Sequence, residues 1–210
     1  MLTFETAAAE CGIVAIIRGI TLDEVAGVGD ALYEAGIRIV EVPLNSPEPF
    51  RSIAALAARF QGRMVVGAGT VLDVDSVDRV KSAGGQISVS PDCNPEVIAR
   101  AVDRGLLPLP GVFTPTEAFD AVRAGARHLK LFPAEAASPK TVKAWKAVLP
   151  KDVKIYAVGG VTPANMKEWA DAGCAGFGIG SNIYKPGMST EDVARAARDF
   201  VAAWNGLKGN

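Results

Sequence analysis

The sequence predicts an α/β fold, a closed (β/α)8 barrel preceded by one short helix. Three observations carry that prediction. Short runs of aliphatic residues begin near residues 13, 39, 64, 87, 106, 128, 154 and 175. Each interval between them holds one stretch with helical start and stop signals, and strict alternation of strand and helix implies a parallel sheet. Eight such units is the number that closes a barrel. An open doubly wound sheet is the rival arrangement. No linker or low-complexity stretch divides the 210 residues, so residues 1–210 read as one domain.

Taken in order, Thr3 to Glu10 reads as a helix capping one end of the fold. Ile13-Val14-Ala15-Ile16-Ile17-Arg18 is a buried strand ending on a charge. Thr21 and Glu24 have capping-box spacing, and the helix they open stops at Gly36. Ile39 to Pro43 is the second strand, and Pro47 opens a helix reaching Phe60. Met64 to Thr70 is the third strand, followed by a helix starting at Asp73 or Asp75 and stopping at Gly84-Gly85. Ile87 to Ser90 is short. Asn94-Pro95 pairs an N-cap with proline at the first helical position. Leu106 to Pro110 is a strand with awkward prolines, and Thr114-Pro115-Thr116-Glu117 starts the next helix. His128 to Phe132 is the sixth strand, closed by Pro133, and Ser138-Pro139 opens the helix after it. Lys154 to Gly159 is the seventh strand, followed by a helix from Thr162-Pro163 to Gly173. Ala175 to Gly180 is the eighth, and Ser189 to Trp204 is the last helix.

Composition removes several function classes. The formal net charge is -1 and charged residues make up 21% of the chain, with both signs mixed along it. Neither nucleic acid nor an anionic membrane surface is expected as a partner. No apolar run approaches membrane-spanning length, and no secretory signal opens the sequence. Three cysteines without a CxxC spacing suit a reducing cytoplasm. A single histidine with no ligand cluster makes a zinc site unexpected, so no metal or other cofactor is expected.

The chemistry centres on Lys130. Side chains on a strand alternate faces, so Leu129 and Leu131 point one way and His128, Lys130 and Phe132 the other. If the leucines meet the helices, Lys130 points into the barrel. Burial disfavours its ammonium form, and a free amine on a rigid strand can add to a carbonyl to form a Schiff base. Active sites of such barrels lie at the C-terminal ends of the strands. The polar residues there are Arg18, Glu41 and Thr70, with Asn45 in the loop after strand two. By the same parity Glu41 and Arg18 face inward. Gly159-Gly160 and Gly180-Ser181 end strands seven and eight, the usual phosphate site of this fold. The bland alternative is a buried ion pair of Glu41 and Lys130 neutralised by Arg18. Barrel interiors are mostly branched and apolar, which favours a working site. The set describes an amine attacking a carbonyl, a carboxylate moving protons, and two anion sites: class I aldolase chemistry without metal.

Five motifs also carry a family resemblance: Ala15-Ile16-Ile17-Arg18-Gly19, Glu41-Val42-Pro43-Leu44, Gly67-Ala68-Gly69-Thr70-Val71, Leu129-Lys130-Leu131-Phe132-Pro133-Ala134 and Ala157-Val158-Gly159-Gly160-Val161. From Ile13 to about Phe200 the chain resembles the 2-keto-3-deoxy-6-phosphogluconate and 6-phosphogalactonate aldolases. The resemblance implies Lys130 as the Schiff-base lysine and Glu41 as the general acid/base. It implies Arg18 and Thr70 as contacts to the pyruvate half, and Gly159, Gly160, Gly180 and Ser181 as the phosphate cradle. It also implies a homotrimer acting on a phosphorylated keto-deoxy sugar acid and releasing pyruvate. The phosphogluconate branch has an arginine four residues after the catalytic glutamate. Asn45 stands there here, in a stretch that resembles the phosphogalactonate branch. A sugar-phosphate isomerase or epimerase, or a non-catalytic sensor, would be the rival functions on the same barrel.

Overall fold

The computed structural model describes residues 2–208. The strands are β1 (Ile13–Ile16), β2 (Ile39–Pro43), β3 (Val65–Gly69), β4 (Ile87–Val89), β5 (Leu107–Leu109), β6 (Gly111–Val112), β7 (His128–Leu131), β8 (Lys154–Val158) and β9 (Gly176–Ile179). All the pairings are parallel, and the order around the sheet is β5-β4-β3-β2-β1-β9-β8-β7-β6. The two ends of that order are one residue apart in the chain. The expected fifth strand is therefore split at Pro110, with β5 pairing only to β4 and β6 only to β7. Pro108 and Pro110 have no N–H to give, so a continuous ladder cannot form on both sides. The Pro110 carbonyl still accepts from the Lys130 N–H at 2.8 Å, which closes the barrel across the break.

Alternation sorts the side chains into two cores. Val40, Val42, Leu129, Leu131, Ile155 and Ala157 point outward into the large core beneath the helices. Val14, Ile39, Val65, Ile87, Leu109 and Tyr156 point inward and fill the barrel below the site. The first helix, α1 (Phe4–Glu10), plugs the end where the strands begin. Its Phe4 ring meets His128 edge-on at 5.0 Å and Tyr156 at 5.7 Å. His128 is thereby a packing residue of the barrel floor, its pKa lowered chiefly by burial.

The remaining helices are α2 (Val25–Glu34), α3 (Pro49–Arg59), α4 (Val74–Ser82), α5 (Pro95–Asp103), α6 (Pro115–Arg123), α7 (Pro139–Lys146), α8 (Met166–Asp171) and α9 (Thr190–Leu207). Most start at the expected signal: Asp73 caps α4, Asn94 caps α5, and Thr114 and Glu117 form a complete capping box on α6. Three start late. Regular α2 begins at Val25, although the Glu24 carboxylate does reach back to the Thr21 N–H. Helix α3 takes Pro49, not Pro47, as its first residue, because Glu48 adopts a left-handed conformation (φ 41°) that breaks the path from Pro47. Helix α8 begins at Met166 because the Asn165 side chain accepts the Thr162 N–H at 2.8 Å and holds Thr162–Asn165 as a turn. No described helix is long and apolar enough to cross a membrane.

Candidate active site

The mouth at the C-terminal ends of the strands opens a cavity of about 360 Å³. Glu41 reaches it from β2 and Lys130 from β7, each fixed by neighbours that point into the outer core. Both are buried, Glu41 at 2% and Lys130 at 6% exposure. They share no ion pair or hydrogen bond among the described residues, and the Glu41 Oε2 atom is buried without a partner. The expected alternative of a satisfied buried salt bridge is thus not what the residues form.

Burial sets the protonation states of both groups. It pushes the Glu41 carboxyl up to about 7, with the charges of Lys130 and then Arg18 pulling the other way. It pushes Lys130 down, opposed by Glu41 and assisted by Arg18. An amine that sheds its proton early beside a carboxyl that titrates near neutrality can exchange protons with a substrate in both directions. The Lys130 Nζ atom also lies 4.4 Å from the centre of the Phe132 ring, whose face favours a cation.

Gly69 makes room for the carboxylate. A Cβ there would stand 2.0 Å from Glu41 Oε2, so any larger residue would displace the group. Thr70 follows in the left-handed region (φ 56°), which is strained for a β-branched residue. It stays outside the cavity wall, unlike Arg18, Glu41, Lys130, Gly159, Gly160, Gly180 and Ser181, which all line it. Asn45 is also outside the wall, but its Oδ1 accepts from Arg18 Nη1 at 2.6 Å. Ser46 accepts the Gly19 N–H at 2.9 Å and ties the loops after β1 and β2 together.

The glycine turns form a donor-rich end. Gly159 (φ 104°) and Gly160 (φ 70°) adopt conformations that other residues rarely take. Asn165 donates to the Gly160 carbonyl at 3.0 Å, and Asn182 donates to the Val161 carbonyl at 3.0 Å. The N–H groups of Gly160, Ser181 and Asn182 donate to no acceptor among the described residues. Backbone donors left open beside a cavity suit an anion. Glu135 lines the cavity as well, and sequence reasoning missed Asn182, Tyr184 and Lys185, which join it there. These three sit on the loop after β9, where no periodicity marks the inward face.

A family model described as "KDPG and KHG aldolase" matches residues 5–198. The chain belongs to that family of class I aldolases. It is 48% identical over 192 residues to the 2-dehydro-3-deoxy-6-phosphogalactonate aldolase of Escherichia coli (strain K12), covering 91% of this chain and 94% of that one. A solved structure described as "Native KDPGal structure" superposes with a TM-score of 0.92 at 46% identity, covering 94% of this chain and 96% of that one. Another, a cube-shaped cage designed by fusing symmetric oligomeric domains, gives 0.92 at 47% identity over 94% of this chain and 73% of that one. The aldolase expected from the motifs, and its barrel, are thus borne out at the level of family and fold.

Proposed function

We propose that the chain cleaves 2-keto-3-deoxy-6-phosphogalactonate to pyruvate and glyceraldehyde 3-phosphate through a Schiff base on Lys130. The observation that carries this reading is the pairing of a buried amine with a buried, unpartnered carboxyl in one cavity. In the first step the neutral Lys130 Nζ adds to the keto carbon. Glu41 supplies the proton with which the carbinolamine oxygen leaves as water, giving the protonated imine. Glu41, now a carboxylate, takes the proton of the carbon-4 hydroxyl. The carbon 3–carbon 4 bond breaks, its electron pair flows into the imine, and the phosphorylated aldehyde departs. The resulting enamine takes a proton back from Glu41 at carbon 3. Glu41, again a carboxylate, takes a proton from the water that hydrolyses the imine, which releases pyruvate and the neutral Lys130 amine and restores the Glu41 acid.

Arg18 is assigned to the substrate carboxylate, with Thr70 at the same end. The turns carrying Gly159, Gly160, Gly180 and Ser181 take the phosphate. The galactonate epimer is favoured over the gluconate epimer by Asn45 and by the name of the Escherichia coli relative. No metal is assigned a task, and no three His, Cys, Asp or Glu side chains are gathered among the described residues. The working unit is taken as one domain over 1–210 in a cytoplasmic homotrimer. The free cysteines are compatible with that compartment, and the symmetric oligomeric cage domains support an oligomer.

The test is borohydride reduction with pyruvate. Wild type is expected to gain the mass of a reduced pyruvyl adduct on Lys130, and Lys130→Ala to gain none while remaining folded. Labelling of Lys130→Ala, or an unlabelled wild type, would overturn the Schiff-base assignment.

A further inference from the structure

Three cations line the cavity: Arg18, Lys130 and Lys185. Arg18 is engaged by Asn45, and Lys130 is the reacting amine. Lys185 takes part in no ion pair among the described residues. It lies on the same loop after β9 as Ser181 and Asn182, whose N–H groups are open. Building on the phosphorylated substrate of the preceding section, we propose that Lys185 is the side-chain cation that selects the phosphate end of the substrate, and that Glu24 holds it in place through Tyr184.

Electrostatics favours such a cation. Glu135 stands beside the glycine cradle, and a Cβ on Gly160 would meet its Oε2 atom at 3.3 Å. A carboxylate at that place repels a phosphate dianion, and backbone N–H groups carry only partial charges. Lys185 supplies a whole positive charge in the same wall. Lysine binds phosphate as a point charge and does not need the fixed fork that arginine brings.

The backbone that carries Lys185 is well anchored. Its N–H meets the Met188 sulfur at 3.1 Å, and its carbonyl accepts from the Met188 N–H at 3.1 Å. The Tyr184 hydroxyl donates to Glu24 Oε2 at 3.4 Å. That same oxygen accepts from the Thr21 N–H at 3.0 Å and the Thr21 hydroxyl at 2.7 Å. These bonds hold the Glu24 carboxyl below its usual pKa, the Thr21 hydroxyl most of all. Pro186 packs on Gly19, where a Cβ would stand 2.8 Å from its ring. The loop after β9 is thus tied to the loop that carries Arg18, fixing the span between the two anion sites.

The experiment runs the reaction in the condensing direction, joining pyruvate to glyceraldehyde 3-phosphate or to glyceraldehyde. Lys185→Gln is expected to raise KM for the phosphorylated aldehyde by about fivefold. It should also flatten the dependence of that KM on ionic strength, and leave KM for glyceraldehyde unchanged. Lys185→Arg should restore most of the loss, and Tyr184→Phe should shift the phosphorylated KM in the same direction by less. Borohydride trapping of pyruvate by each variant reports whether the imine site is intact. Equal changes for both aldehydes, or none for either, would overturn the role of Lys185. An unchanged phosphorylated KM in Tyr184→Phe would overturn the anchoring by Glu24. A wild type that fails to trap pyruvate would instead remove the aldolase reading itself.

Discussion

At Glu41 and Lys130, two ionisations move towards each other, so the pH response belongs to the pair. Burial lifts the carboxyl to about 7 and lowers the amine, and the Arg18 charge lowers both. Pyruvate trapping should therefore rise with pH as the pair loses a proton. In Arg18→Met the positive charge is gone, both groups hold their protons longer, and the rise should move to higher pH. A pH–rate profile of trapping tests this, and a rise that stays put or moves down would contradict it. Asn45 acts on the same arginine. Arginine can only donate, so Asn45→Arg would remove the acceptor that holds Arg18 at 2.6 Å and bring a second guanidinium beside it. A lost hydrogen bond of about 1–3 kcal/mol corresponds to roughly ten- to hundredfold in relative kcat/KM. The ratio of kcat/KM for the galactonate and gluconate epimers should change on that scale, and an unchanged ratio in an active variant would place discrimination elsewhere. Lys130 and Glu41 were legible in the sequence because strand parity alone decides which way they point, whereas Arg18, expected at the end of the first strand, lies on the turn after β1 and lines the cavity from there. The room that Gly69 leaves for Glu41 was not, since it depends on a register between two strands.

Among the elements, helix caps were readable where the capping side chain accepts a backbone N–H of the first turn, as at Asp73, Asn94 and Thr114. They were misread at Thr21, whose hydroxyl donates to Glu24 and accepts no backbone N–H, and at Pro47 and Thr162, where a left-handed glutamate and an asparagine side chain postpone the helix. Helix α1 shows what a short element can contribute through one side chain. Phe4 fills the barrel end against His128 and Tyr156, and it is 5% exposed. Phe4→Ala should cost about 3–5 kcal/mol of unfolding free energy, the usual range for emptying an aromatic site in a core. Because the plug lies at the opposite end from the cavity, kcat at permissive temperature should stay within about twofold of wild type, a change below about 0.5 kcal/mol in barrier. Denaturant titration with parallel assays measures both. Unchanged stability would show that α1 is an appendage and not part of the core.

For the molecule as a whole, eight βα units and their closure could be read from spacing alone. The break in the fifth unit could not be placed, because prolines in a strand mark trouble without saying which ladder yields. The ring of backbone hydrogen bonds is continuous from β4 through β1 to β7 and is bridged at Pro110 by chain connectivity and a carbonyl. Local opening follows the density of such bonds. The barrel should accordingly breathe along one meridian: in deuterated solvent, the amides of Leu109, Gly111 and Val112 should exchange well before those of Val14, Ile16, Val40 and Val42. Uniform protection around the barrel would contradict this. The meridian runs beside β7, so backbone exchange at the strand that carries the reactive amine should slow once that amine is tethered to a reduced pyruvyl group.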